Sequence, residues 1–192
     1  MYRSKLFNNN PNLRIIHSIP DGNCFFHSIL HAYGSDYVNS NGQTRQQKAI
    51  QFRHRLAEIL PEQYNTLNNG ITAEFGKTYY PYSLEGMIKE LKLNICVDNK
   101  YQEIISNELN TDIYIIDTDN DKIYATNYDL NVLYKNRKSI VLLYSEMNHH
   151  YDILGCYDKS ANITYTLFSA NSEIPTTLYN HLIAKKYGLK CV

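Results

Sequence analysis

Residues 21–33 have the sequence DGNCFFHSILHAY, in which a glycine-containing turn leads directly into an apolar helical pattern. This arrangement places Cys24 on the first turn of the predicted helix. A helix N-terminus carries roughly half a positive elementary charge and free backbone N–H groups, both of which favour a thiolate over a thiol. The same N–H groups can stabilise the oxyanion that forms when a thiolate attacks a carbonyl. Cys24 is therefore a candidate nucleophile.

A second informative segment lies far downstream, at residues 149–154, with the sequence HHYDIL. Its pattern is typical of a β-strand, in which alternate side chains share a face, so His150 and Asp152 should point the same way. An imidazole that accepts the cysteine proton and a carboxylate that orients the imidazole are what a thiol protease requires. We assign the base to His150, and His149, which would face away from Asp152, is the alternative.

Size and charge narrow the class of protein. The chain has 192 residues, enough for one domain with its own core. Its 19 basic and 19 acidic residues balance, so no overall field attracts it to nucleic acid or to an anionic membrane surface. No apolar window has the length of a signal peptide or of a membrane span. We expect a monomer that binds neither nucleic acid nor membrane.

The cysteine pattern argues against a metal or disulfide framework. The four cysteines are widely separated and form no C-x-x-C pair; they are Cys24, Cys96, Cys156 and Cys191. Free thiols in a reducing compartment, the cytoplasm, are the expectation. The acidic run at 117–121 superficially resembles a calcium loop, but Lys122 and Tyr128 stand where that loop needs glycine and glutamate. We predict a polar hairpin turn there and no metal.

Helical patterns precede strand patterns along the chain. Thr44 and Gln47 match a capping box that would open a helix ended by Pro61. The basic residues of this helix, Arg53 included, lie mostly off its apolar stripe and are predicted to be solvated. Further helices are predicted at 83–91, 101–109 and 176–186, the last closed by Gly188, and strands at 113–116, 123–126, 140–144, 150–154 and 164–168. The segment 35–42 is predicted to be a loop, and the segment 65–76 either a loop or short irregular helices. This order predicts an α+β domain in which helices cover a small, mainly antiparallel sheet.

Two further histidines follow the candidate nucleophile on its helix. His27 and His31 lie three and seven residues after Cys24, on what the pattern indicates is a polar stripe. We predict that both are partly solvated residues outside the catalytic network.

The two segments together resemble the signature blocks of the ovarian tumour (OTU) family of cysteine proteases. One block is Asp21-Gly22-Asn23-Cys24-Phe25-Phe26, and the other, more than a hundred residues later, is His150-Tyr151-Asp152. The order of helices and Ile-rich strands between them is also similar to that family. The similarity covers about residues 15–154, and we predict that 1–192 is a single OTU-like catalytic domain with a C-terminal strand and helix at about 163–188.

The resemblance implies a papain-like OTU fold and a deubiquitinase. Such an enzyme would hydrolyse the isopeptide bond after the C-terminal glycine of ubiquitin through a thioester acyl-enzyme, with no metal or organic cofactor. By position, Cys24 would be the nucleophile, His150 the base and then the acid, and Asp152 the orienting residue. The backbone N–H groups of Asp21 and Cys24 would form the oxyanion hole, with Gly22 and Asn23 shaping the turn. The Asp21 carboxylate could itself reach the catalytic histidine and share the orienting role.

The expected partner is ubiquitin or a polyubiquitin chain. Two alternatives stay open, a thiol protease for a ubiquitin-like modifier and a catalytically silent ubiquitin-binding module. Linkage preference depends on surfaces outside the two blocks. The composition, rich in Asn, Ile and Tyr, suits a viral or bacterial protein that acts on ubiquitin in the host cytoplasm.

Overall fold

The computed structural model describes residues 5–7, 9–120, 122–124 and 137–186. Seven α-helices lie in these ranges: α1 (Cys24–Tyr33), α2 (Ser35–Val38), α3 (Gly42–Gln63), α4 (Ile71–Gly76), α5 (Leu84–Lys92), α6 (Gln102–Glu108) and α7 (Glu173–Lys186). Six strands accompany them: β1 (Leu13–Ile16), β2 (Asp112–Asp117), β3 (Lys122–Tyr124), β4 (Ser139–Ser145), β5 (His150–Asp158) and β6 (Ile163–Tyr165). The predicted strand end at 125–126, Tyr128, Gly188 and Cys191 lie outside the described residues.

The six strands form one sheet in the order β1-β5-β4-β2-β3, with β6 also pairing with β5. Every ladder is antiparallel except the one between β2 and β4, which is parallel. The α+β class with a mainly antiparallel sheet is therefore confirmed, and Cys24 lies at a helix N-terminus as predicted. The parallel pair is the exception to the antiparallel pairing that the sequence predicts.

Strand β1 is absent from the sequence-based prediction. Its four residues pair with β5, from Leu13 opposite Cys156 to Ile16 opposite Ile153. So short an apolar run gives little periodic signal, and the pairing that stabilises it is contributed by residues far along the chain. The consequence for the site is that the residues following β1 lie beside the first part of β5.

The sheet is covered on both faces, because successive residues of its central strands alternate between two cores. One face packs on α1, α3, α5 and α6; its strand residues are Ile113, Ile115, Ile140, Leu142, Tyr151 and Ile153. The other face packs on α7; its strand residues include Tyr114, Ile116, Val141, Leu143 and Leu154. This explains why β2 and β4 are apolar at nearly every position and not at alternate ones. None of the described helices is both long and apolar enough to cross a bilayer.

Several helix boundaries differ from the prediction. The N-cap of α3 is Asn41, whose side chain accepts a 2.9 Å hydrogen bond from the Thr44 N–H, so the capping box is wrong. Pro61 lies inside the helix, where its missing N–H costs a single bond near the C-terminal end. Helix α2 occupies part of the predicted loop. The predicted cap at Ser83 is confirmed by the 3.1 Å bond from the Gly86 N–H.

Candidate active site

The candidate nucleophile is the first residue of α1, and this helix packs against β5. Cys24 is 3% exposed, and the residues that follow it on α1 contact Tyr151: the Phe25 and Tyr151 rings lie 4.9 Å apart, and the Ser28 hydroxyl donates to the Tyr151 carbonyl at 2.9 Å. Tyr151 is the residue between His150 and Asp152. The fold therefore brings the two sequence segments together, with the thiol beside the backbone that carries the candidate base and its carboxylate.

Burial sets the acidity of this thiol. Removal from water raises the pKa of Cys24, and hydrogen bonds with the backbone of Tyr151 and Phe25 act in the opposite direction with smaller effect. The depressed pKa expected of a cysteine at a helix N-terminus is therefore wrong for this conformation. At neutral pH the group is a thiol, so reaction requires a base to remove its proton.

The imidazole of His150 is held through one of its two nitrogens. Nε2 lies 3.1 Å from Asp152 Oδ1 and 3.3 Å from the Ser18 hydroxyl oxygen. The Ser18 hydroxyl donates its proton to the Tyr151 carbonyl at 2.6 Å. In its contact with His150 it can therefore only accept a hydrogen bond. We therefore assign the proton to Nε2, which leaves the lone pair on Nδ1 as the basic position.

The Asp152 carboxylate is fixed by two residues that sequence reasoning missed. Its Oδ1 accepts a 2.9 Å hydrogen bond from the Ser18 N–H, and its Oδ2 lies 3.0 Å from His17 Nδ1. His17 is mostly exposed, whereas Asp152 is largely shielded from solvent. Neither residue belongs to a motif. The signal that places them is the pairing of β1 with β5, which the sequence pattern does not reveal.

The remaining geometry separates the two adjacent histidines. His149 lies in the turn before β5 with φ of 47°, is exposed, and contacts the Tyr144 hydroxyl at 3.4 Å. His150 is thus the histidine that contacts Asp152. Among the described residues no hydrogen bond joins Cys24 to His150. Catalytic hydrogen bonds are often long or absent in enzymes before substrate binds. The catalytic roles of these residues stay predictions.

Asp21 has different partners from those considered above. Its Oδ1 accepts a 2.7 Å hydrogen bond from the Asn23 N–H, and its Oδ2 lies 3.2 Å from His27 Nε2. Within the described part of the chain it makes no hydrogen bond with His150. Asp21 therefore stabilises the turn in this conformation, and Asp152 is the carboxylate in contact with the candidate base.

His27 is completely buried, so the prediction of a partly solvated residue is wrong for it. The Tyr37 hydroxyl lies 2.6 Å from Nδ1, and burial raises the pKa of Tyr37 to about 12, so this hydroxyl is the donor. His27 Nε2–H then donates to Asp21. Burial also lowers the pKa of His27, which keeps the ring neutral. His31 is half-buried, and its Nδ1 has no hydrogen-bond partner in the described structure.

The two backbone N–H groups predicted to form the oxyanion hole already have acceptors. The Asp21 N–H donates to the Ile19 carbonyl at 2.9 Å, and the Cys24 N–H donates to the Asp21 carbonyl at 3.1 Å. An oxyanion could use them only if they were shared or released from the turn. The hole is not open in this conformation, and its assignment stays a prediction.

Arg53 of α3 contradicts the prediction of a solvated face, since it is 1% exposed and lies directly behind the turn that precedes Cys24.

The turn packs closely against the segment after α5 because residue 22 is a glycine. A methyl group on Gly22 would lie 2.7 Å from the Asn94 carbonyl oxygen, so only glycine lets the turn approach the segment after α5.

Comparison with solved structures identifies the architecture. An ovarian tumour (OTU) domain solved in complex with ubiquitin superposes with a TM-score of 0.57 at 20% sequence identity, covering 92% of this chain and 88% of that one. This chain has the OTU fold. The OTU domain of OTUD1 is a weaker match to the same fold, with a TM-score of 0.46 and 14% identity over 75% of this chain and 86% of that one. No protein-family model matches the sequence, and no curated protein matches it significantly.

On this OTU fold the described cysteines and acidic residues form no metal centre. Cys24, Cys96 and Cys156 are free. In the described ranges, no group of three His, Cys, Asp or Glu side chains is arranged to hold a metal ion.

Proposed function

We propose that this protein is a thiol-dependent deubiquitinase that cleaves the isopeptide bond after the C-terminal glycine of ubiquitin. The observation that carries the proposal is the packing of α1, which begins at Cys24, against β5, on which His150 Nε2 lies 3.1 Å from Asp152 Oδ1. The fold supports it, because a similar OTU domain was solved in complex with ubiquitin. We propose further that the protein acts as a monomer, on ubiquitin or polyubiquitin, in the cytoplasm.

The proposed reaction begins with proton transfer from Cys24 Sγ to His150 Nδ1. The thiolate attacks the glycine carbonyl, and collapse of the tetrahedral intermediate breaks the C–N bond while His150 returns the proton to the leaving lysine amine. Water, deprotonated by His150, then hydrolyses the thioester and releases the ubiquitin carboxylate. Asp152 and Ser18 hold the imidazole through Nε2, and Asp152 stabilises its charged form.

Substrate must complete the site in this proposal. The thiol is buried and the backbone donors near it are engaged, so we propose that binding of the ubiquitin C-terminus releases the N–H groups of Asp21 and Cys24 toward the oxyanion. The catalytic step would then depend on a rearrangement of the turn.

Intact-protein mass spectrometry with ubiquitin carrying a C-terminal propargylamide tests the proposal. Wild-type protein and the Cys96→Ala control, in which an exposed cysteine is removed, should each gain the mass of one ubiquitin. Cys24→Ala should gain none. Wild-type activity should survive EDTA and be lost with iodoacetamide. A properly folded wild type that forms no adduct would contradict deubiquitination.

A ubiquitin-binding module without activity is the second candidate. It is favoured by the burial of Cys24 and by the missing hydrogen bond between Cys24 and His150. Titration calorimetry of the wild type with ubiquitin, compared with the adduct experiment, separates the two functions, because a silent module binds ubiquitin and forms no adduct. An adduct with a ubiquitin-like modifier and not with ubiquitin would instead assign the protein to that modifier.

A further inference from the structure

All three guanidinium nitrogens of Arg53 donate hydrogen bonds inside the protein. Nε donates to the Leu91 carbonyl at 2.9 Å, and Nη2 donates to the Glu90 carbonyl at 2.6 Å. Nη1, which has two hydrogens, donates to three oxygens by sharing one hydrogen between two of them: the Gly22 carbonyl at 3.2 Å, Asn23 Oδ1 at 3.0 Å and the Ile95 carbonyl at 2.8 Å.

These five acceptors belong to two separate segments. Gly22 and Asn23 form the turn before the nucleophile, and residues 90–95 end α5 and continue beyond it. The segments also touch directly, through a hydrogen bond between the Asn23 and Asn94 side chains and through the close approach of Gly22 to Asn94. Arg53 is therefore the bridge that fastens the nucleophile turn to a neighbouring element.

The bridge fixes the orientation of one peptide group. In a planar trans peptide the C=O and the following N–H point in opposite directions. The Gly22 carbonyl points to Arg53, and the Asn23 N–H on the other side donates to Asp21 Oδ1 at 2.7 Å. The Gly22–Asn23 peptide is thus held from both sides, immediately before Cys24.

The partners of Arg53 argue against a role in stability alone. All five are neutral oxygens, and no carboxylate forms an ion pair with Arg53 in the described structure. A buried charge without a counter-ion is costly for folding. A rigid planar fork that reaches several acceptors at once is what such a bridge requires, and lysine cannot reproduce it.

We propose that Arg53 is a positioning residue for the nucleophile, acting through Gly22 and Asn23 to hold Cys24 at the start of α1 against β5. This inference rests on the proposed function, because the nucleophile is assigned there. Arg53 is too deeply buried to touch ubiquitin, so its effect should fall on kcat and not on KM.

The test compares Arg53→Lys with Arg55→Lys, a matched change on the same helix at an exposed residue paired with Glu108. Hydrogen exchange followed by mass spectrometry reports on the turn without any substrate. Hydrolysis of ubiquitin bearing a fluorogenic C-terminal amide gives kcat and KM per folded protein. Asn23→Ala removes one acceptor of Arg53 in the turn and the side-chain bond to Asn94 while leaving Arg53 in place, and serves if Arg53→Lys does not fold.

We expect faster exchange in peptides covering residues 19–26 and unchanged exchange in β2, β4 and β5. We also expect a fall in kcat of at least about tenfold with KM within twofold. Arg55→Lys should match the wild type in every measurement. Unchanged exchange at 19–26, or a loss confined to KM, would overturn the inference. A wild type that does not hydrolyse the substrate, with local exchange still faster in Arg53→Lys, would refute the proposed function and leave Arg53 as the bridge of the turn.

Discussion

At the scale of single residues, the burial of Cys24 determines how the free protein should react with a small electrophile. Only the thiolate is nucleophilic, and burial raises the pKa of Cys24 above its ordinary value of about 8.5. Alkylation of Cys24 by iodoacetamide should therefore keep increasing as the pH rises beyond 8.5. Peptide mass spectrometry between pH 6 and pH 10 measures the rate, with the exposed Cys96 as an internal reference; a plateau reached by pH 7 would contradict the expectation.

The adjacent histidines offer a sharper residue-level test. His150 contacts Asp152 and Ser18, whereas His149 lies in an exposed turn. His150→Ala should lower the rate of ubiquitin adduct formation by about 100-fold or more, because a general base is lost, and His149→Ala should change it by less than about threefold. Asp152→Asn should cost less than His150→Ala, since the base itself remains. The reverse order of the two histidine variants in stopped-time mass spectrometry would reassign the base.

His27 connects the pH to the stability of the fold. Burial lowers the pKa of His27 in the folded protein, whereas in the unfolded chain the ring titrates near 6.5. Below about pH 6.5 the unfolded state therefore takes up a proton that the folded state does not, and the free energy of unfolding falls. The stability contributed by neutral His27 is present above that pH and is lost as the pH decreases.

Urea unfolding of His27→Gln between pH 5 and pH 8 measures this linkage. The variant should lose less stability than the wild type on the acid side, and His54→Gln, a change at an exposed histidine of α3, should keep the wild-type slope. Equal slopes in all three proteins would mean that His27 does not titrate differently on folding.

At the scale of elements, substitutions at the start of α3 can distinguish the observed N-cap, Asn41, from the predicted one, Thr44. The Asn41 side chain accepts the Thr44 N–H, so Asn41→Ala should lower the free energy of unfolding by about 1 kcal/mol. Thr44→Ala, which would remove the cap in the sequence-based prediction, should have little effect because alanine is a good helix former. Chemical denaturation measures the free energy of unfolding of both variants. A larger decrease in Thr44→Ala than in Asn41→Ala would support the predicted capping box.

Elements with strong local patterns were predictable from sequence, and contacts between distant segments were not. The runs in β2 and β4 are aliphatic or aromatic at every position between their polar end residues, and their predicted bounds lie within one residue of the observed ones. Strand β1 depends on pairing with β5, so its own four residues carry little signal. Arg53 looks like any surface arginine until α5 supplies its carbonyl partners. The same reason hides Ser18 and His17, which reach Asp152 only after the sheet has formed.

At the scale of the whole molecule, a substitution in the core on the α7 face of the sheet should lower the stability of the fold without changing the reactivity of Cys24, which lies on the opposite face. Leu178 of α7 is fully buried on the face of the sheet opposite α1. Leu178→Ala should cost about 2–5 kcal/mol of unfolding free energy, because it opens a cavity, while the rate of ubiquitin adduct formation per folded molecule stays unchanged. Asn180→Ala, at an exposed position of α7, is the control. A matching fall in the reactivity of folded Leu178→Ala would show that the two faces are coupled.

The late position of β5 in the chain, for a strand that pairs with β1 and packs on α1, governs when the thiol acquires its surroundings during synthesis. Leu13 leaves the ribosome early, yet its partner Cys156 belongs to a strand translated much later. Until β5 has been made, a nascent chain carries Cys24 without the Tyr151 backbone, the His150 imidazole or the carboxylate of Asp152. Such distant pairings make folding slow as well as late. A newly made chain therefore lacks the base and the carboxylate of the proposed reaction until translation has delivered β5.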